Sequence, residues 1–139
     1  MGVKILRDQE IDAESVLAAS PLAALPQARA NLLMFMNHSV EMWVGYHDRE
    51  VACVCGLIPP SILSDRAYLW MLHTYTVEQH KFLFIRHSQM WIKEILERYP
   101  IIYGHVEKKN HQAIRWLKWL GAEMKQSEQA LIPFEIRRG

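Results

Sequence analysis

The spacing of apolar residues changes sharply in the middle of this chain. Between Ser39 and His73 they alternate or run together, as in strands; from Thr76 to Tyr99 they recur every three or four residues, as in a helix. Consecutive strands joined by short turns pair as an antiparallel meander. A long helix leading into another β-branched run, Ile101–Val106, makes a βαβ unit. The sheet is therefore mixed, and 139 residues provide one compact domain to hold it.

Within the meander, Val40, Met42, Val44 and Tyr46 alternate with Glu41, Trp43 and Gly45. His47–Glu50 is a polar turn, and Val51–Ile58 completes a hairpin that Pro59 and Pro60 end. Arg66–His73 is mostly apolar on both faces, as a central strand covered by helices is. Thr76-Val77-Glu78-Gln79 has the form of a capping box and opens the longest helix. Phe82, Ile85, Ile92, Ile95, Leu96 and Tyr99 make its apolar face, and Pro100 closes it. The polar turn Arg86-His87-Ser88-Gln89 reads as an exposed part of that helix.

Upstream, Val3–Leu6 suits a short edge strand, and Asp12 caps a helix through Ser15–Ala18 that stops near Pro21. Pro26 opens a second helix over Gln27–His38. Downstream, a helix from Asn110 to Leu120 carries Ala113, Trp116, Leu117 and Leu120 on one stripe and ends at Gly121. Leu131–Ile136 forms a last strand, in which Pro133 marks a bulge or an edge. The order β, α, α, β, β, β, α, β, α, β defines an α/β (α+β) fold over residues 1–139, a mixed, mostly antiparallel central sheet with helices on both faces.

Composition excludes more than it selects. Sixteen basic against 15 acidic residues leave a formal charge of +1, so the bulk field favours neither nucleic acid nor an anionic membrane surface. No run of 18 apolar residues and no signal-type apolar region occurs, which points to a soluble protein of the cytoplasm. Cys53 and Cys55 share one face of a strand and read as buried, unbridged thiols. The seven histidines have no zinc-ligand spacing, and no metal is expected.

The segment Asn110-His111-Gln112-Ala113-Ile114-Arg115-Trp116-Leu117-Lys118-Trp119-Leu120-Gly121-Ala122 resembles the last motif of the GNAT superfamily of N-acetyltransferases. The element order resembles that fold over almost the whole chain. The resemblance implies acetyl transfer from acetyl-CoA to an amine, with the cofactor lodged where Ala67–His73 and Ile101–Val106 part. It makes Leu72, His73, Gln79, His80, Lys81 and Asn110 candidate cofactor contacts. His105 and His73, near the ends of those strands, are candidate general bases, with Glu107 acting through water as a third.

Two features depart from the family pattern. Its pyrophosphate turn depends on glycines that let backbone N–H groups reach the phosphates, yet this chain has no Gly between Gly56 and Gly104, and Glu78–Phe84 fills the corresponding stretch with bulky side chains. The acid, a Tyr seven residues after the motif Asn, is replaced by Leu117, and Ala122 stands where an aromatic usually follows the motif Gly. A narrower resemblance, carried by Ala67-Tyr68-Leu69-Trp70, Phe82–Gln89 and Ile114–Gly121, is to the GNAT-like proteins of tailed bacteriophages and prophages, including a small internal virion protein. The combined reading is a phage-associated GNAT-fold protein, degenerate for acetyl-CoA chemistry and acting as a virion component or accessory module with a phage or host protein partner. The alternative is an active N-acetyltransferase with an atypical pyrophosphate loop and a small-molecule acyl acceptor. Trp119 at the rim of the last helix, with Lys108, Lys109, Arg115 and Lys118, marks a contact surface for an acidic partner.

Overall fold

The computed structural model describes residues 3–7, 12–20 and 27–139. The elements are β1 (Val3–Arg7), α1 (Ala13–Ala18), α2 (Ala28–His38), β2 (Glu41–His47), β3 (Glu50–Ile58), β4 (Arg66–His73), α3 (Tyr75–Gln79), α4 (Lys81–Arg98), β5 (Ile101–Glu107), α5 (His111–Trp119), β6 (Glu123–Met124) and β7 (Leu131–Arg137). The strand order is β1-β2-β3-β4-β5-β7-β6. Neighbours pair antiparallel at β1–β2, β2–β3, β5–β7 and β6–β7, and parallel at β4–β5. This is the mixed, mostly antiparallel α/β sheet expected. Pro21 and Pro26, and the side chains of Val77 and Glu78, lie outside the described residues.

The chain divides into two compact units, Met1–Ile58 with Trp70–His87 and Pro59–Leu69 with Ser88–Gly139. In the first, Asp12 caps α1: Oδ1 accepts from the Glu14 and Ser15 amides and Oδ2 from the Ser15 hydroxyl at 2.7 Å. The β2–β3 hairpin turns at Asp48, whose φ of 59° is the left-handed conformation that Asp tolerates better than most residues. Ala52, Cys53, Val54, Cys55 and Leu57 are buried without a break, so both faces of β3 are covered. The two cysteines are free thiols, and burial pushes the Cys55 thiol well up. Trp70 stacks on Phe35 at 5.7 Å, and its indole N–H donates to Ser39 Oγ at 2.7 Å.

The second unit contains β5, β6, β7, α5, the start of β4 and most of α4. Ile92, Ile95 and Leu96 are buried as their spacing predicts, together with Trp91. Two expectations for α4 fail. Phe82, assigned to the apolar face, is 73% exposed, because two residues before buried Phe84 it falls on the opposite side of the helix. Ser88, assigned to an exposed polar turn, is only 5% exposed, since the Trp116 indole donates to its hydroxyl at 2.9 Å and satisfies it in the core.

Pro133 marks neither a bulge nor the sheet edge. It sits opposite His105 in an unbroken β5–β7 register, and the edge strand is β6, a two-residue element that the alternation pattern missed. The Pro133 carbonyl accepts from the Lys125 amide, so the proline nitrogen faces the β6 side and no bond to β5 is lost.

Candidate functional site

The first unit holds the crossing from β4 to α4, where the resemblance places a phosphate-binding turn. The predicted single helix is two, α3 and α4, broken at His80. The cap is Thr74 instead of Thr76. Its hydroxyl, in a side chain 1% exposed, donates toward the carbonyls of Val51 at 2.8 Å and Ala52 at 3.0 Å and accepts the Thr76 amide at 3.2 Å. Thr76 is free to donate its hydroxyl to Glu50 Oε2 at 3.1 Å.

Several amides of this crossing are committed. The amides of Thr74, Tyr75 and His80 donate to the carbonyls of Ala52, Ala19 and Thr76 at 2.7, 3.1 and 3.1 Å, and those of Leu83 and Phe84 both donate to the His80 carbonyl. His80 itself stacks on His47 with centroids 3.7 Å apart and planes 13° from parallel. Lys81 is exposed at the first position of α4, Gln79 is exposed at the last of α3, Leu72 is buried within β4, and His73 closes that strand half-buried. His73 and His105, grouped by the sequence pattern, belong to different units.

In the second unit, one face of the sheet carries a connected cluster. Residues alternate along β5: Ile102 and Val106 are buried, while Tyr103, His105 and Glu107 face the other way, half-buried or exposed. The parallel register sets Arg66 opposite Ile101 and Tyr68 opposite Tyr103. Tyr68 and His105 then meet, with the phenol oxygen 3.1 Å from Nδ1. Tyr103 meets Tyr68 edge-on at 5.5 Å, and the Arg66 guanidinium lies 5.9 Å from the centre of the Tyr103 ring. The strands can approach this closely because residue 104 is glycine; a Cβ there would come within 2.8 Å of both the Leu69 carbonyl oxygen and the Phe134 ring.

Burial pushes the Tyr68 phenol up, and Tyr103 adds to the rise, so the hydroxyl keeps its proton. When it donates to His105, the ring N–H sits on Nε2. When the ring donates from Nδ1, Nε2 presents the free lone pair of a base. Glu107 ends β5 exposed, and its carbonyl accepts the Asn110 amide at 2.9 Å. Asn110 uses its side chain locally: Oδ1 accepts the Ala113 amide at 3.1 Å and caps α5. Leu117, in the position of the family's acid, is buried. Tyr68 is the residue the sequence reading missed. Its signal was parity, since a parallel pairing of Arg66–His73 with Ile101–Val106 puts Tyr68, Tyr103 and His105 on one face. Among the described residues no three His, Cys, Asp or Glu side chains gather into a metal-binding group, and no helix is long and apolar enough to cross a membrane.

No family model matches the sequence, and no curated protein matches it. Solved structures do. The Bacillus subtilis acetyltransferase in complex with CoA superimposes with a TM-score of 0.74 at 12% identity, over 98% of this chain and 99% of that one. The Escherichia coli ribosomal-protein-S18-alanine N-acetyltransferase gives 0.70 at 12% over 97% and 93%. The Campylobacter jejuni N-acetyltransferase PseH in complex with acetyl coenzyme A gives 0.60 at 12% over 99% of each chain. At such identities the likeness is one of architecture, and this chain has the fold of the GNAT acetyltransferases.

Proposed function

We propose that this GNAT-fold chain has given up ordinary acetyl-CoA chemistry and acts by binding, as a component of a tailed-phage particle or as an accessory factor in the infected bacterial cytoplasm, with a phage or host protein as partner. The commitment of the main chain between Thr74 and Phe84 carries the reading. The pyrophosphate of acetyl-CoA requires several bare amides converging at a helix start. Here the amides of Thr74, Tyr75, Thr76, His80, Leu83 and Phe84 all have acceptors within the protein, and no glycine opens the turn. The engagement of these six amides supports the reading that the crossing does not take the pyrophosphate. Buried Leu117 adds a second, independent support, because it offers no proton where the family's acid would stand. The phage assignment rests on the narrower sequence resemblance.

Calorimetric titration of the purified chain with acetyl-CoA and with desulfo-CoA tests the loss: no heat of binding is expected, and micromolar affinity for either compound overturns it. Mass spectrometry of purified particles tests the virion role, which requires the chain at stoichiometric level.

A second reading, an active N-acetyltransferase, is favoured by the Tyr68–His105 pair, in which a phenol that keeps its proton orients an exposed imidazole. His105 would then take the proton of an acceptor amine. In that case His105→Ala lowers turnover far more than it lowers affinity for acetyl-CoA; equal turnover clears His105 of the role.

A further inference from the structure

The overall charge of +1 conceals a strong local asymmetry. Residues 108–122 contain four basic residues and no acidic one, so this stretch carries +4 while the rest of the chain, with 12 basic and 15 acidic residues, carries −3. The structure gathers the charge on one side of α5. His111, Gln112, Arg115, Lys118 and Trp119 are all exposed, and at 100° per residue they fall within a single arc, opposite buried Leu117. The Trp119 side chain is 50% exposed. Lys108 is occupied, its ammonium donating to the Ser127 carbonyl at 3.2 Å. Among the described residues no carboxylate pairs with Lys109, Arg115 or Lys118; the ion pairs of the neighbouring strands lie among Lys125, Glu123, Glu135 and Arg137.

We propose that this face of α5 docks single-stranded nucleic acid, with Arg115 and Lys118 on successive phosphates and a base stacked on the Trp119 indole. The face spans about 12 Å from residue 111 to residue 119 at the helical rise, the length of roughly three or four nucleotides. Unpaired cations of one sign complement a phosphodiester chain. An acidic protein would satisfy those cations too, but a nucleic acid also brings a planar ring beside each charge, and bases of every kind stack on an exposed indole. The inference does not depend on whether the chain retains acetyl-CoA chemistry.

The test is fluorescence anisotropy of a labelled oligothymidylate of about twenty nucleotides, longer than a single site, with the full chain in excess. Binding is expected at about 50 mM salt. Two phosphate contacts predict an affinity that falls roughly sevenfold between about 50 and 200 mM salt. The double variant Arg115→Glu with Lys118→Glu should weaken binding at least about tenfold. Trp119→Ala should weaken it about tenfold, abolish quenching of indole fluorescence by the oligonucleotide and leave the salt slope unchanged. Circular dichroism spectra matching the parent confirm that each variant is folded. No anisotropy change at low salt, or undiminished binding by the folded double variant, overturns the proposal. Retention on polyglutamate without binding of oligothymidylate also overturns it, and assigns the face to an acidic protein.

Discussion

Helices follow β4 and β5 in turn, and the two begin differently. After β5 the sequence resembles the GNAT motif: Asn110 caps α5 through the Ala113 amide, and Gly121 ends it with a φ of 92°, its amide bonded to the Lys118 carbonyl and that of Ala122 to the Leu117 carbonyl. After β4 there is no such resemblance, and Thr74 starts a one-turn helix whose first two amides are spent inside the protein. The residues that persist each perform a structural task that needs no ligand. Those that are missing, the glycines of a phosphate turn, serve chiefly to leave amides bare.

Substitutions can break or sharpen this contrast. Thr74→Val keeps the shape of the side chain but removes the hydroxyl that bonds the Val51 carbonyl and the Thr76 amide, and should cost about 2 kcal/mol in urea unfolding. A negligible loss would mean that the β4–α4 crossing is not held by this hydroxyl. Gly121→Ala places a side chain at positive φ with nothing within 4 Å to clash, so conformation alone sets the loss, about 1.5 kcal/mol. Asn110→Ala removes the α5 cap and should cost about 1 kcal/mol, whereas Asn110→Asp, an equally good cap beside a positive helix end, should cost almost nothing. If the Asp variant lost as much as the Ala variant, Asn110 would have a task besides capping, and the contrast would weaken.

The smallest effect concerns α1. The Ser15 hydroxyl, followed by the Ser15 amide, holds the Asp12 carboxyl below its ordinary value. A depressed folded-state value means stability present above the unfolded carboxylate range and lost as pH falls through the folded value. A titration of the Asp12 side-chain chemical shift followed down through that range should show a midpoint below an unperturbed aspartate, and the difference should shrink in Ser15→Ala, which removes the hydroxyl but keeps the amide.

Much of the fold was legible because it is written locally. Asp12 and Asn110 as caps, Gly121 as a stop and Arg66–His73 as a strand follow from side-chain chemistry and periodicity over a few residues. The candidate site was legible only in part. His105 was singled out without its partner, because Tyr68 is 37 residues away and only the β4–β5 register unites them. Ser88 looked exposed by composition, and only Trp116 on another helix made its burial tolerable. The helix break at His80 was hidden for the same reason, since Thr74 caps α3 through bonds to β3 and His80 stacks on a ring from β2.

Sequence alone therefore determined most of the order of elements, the caps at Asp12 and Asn110 and the stop at Gly121, the missing glycines and the charge asymmetry of residues 108–122, all of which depend on neighbours within a few positions. The tertiary structure decided which amides of the β4–α4 crossing are spent, which side chains meet on the β4–β5 face and which side of α5 lies open. Those are matters of which distant atoms come within hydrogen-bonding or van der Waals reach, and pairings across the sheet set them.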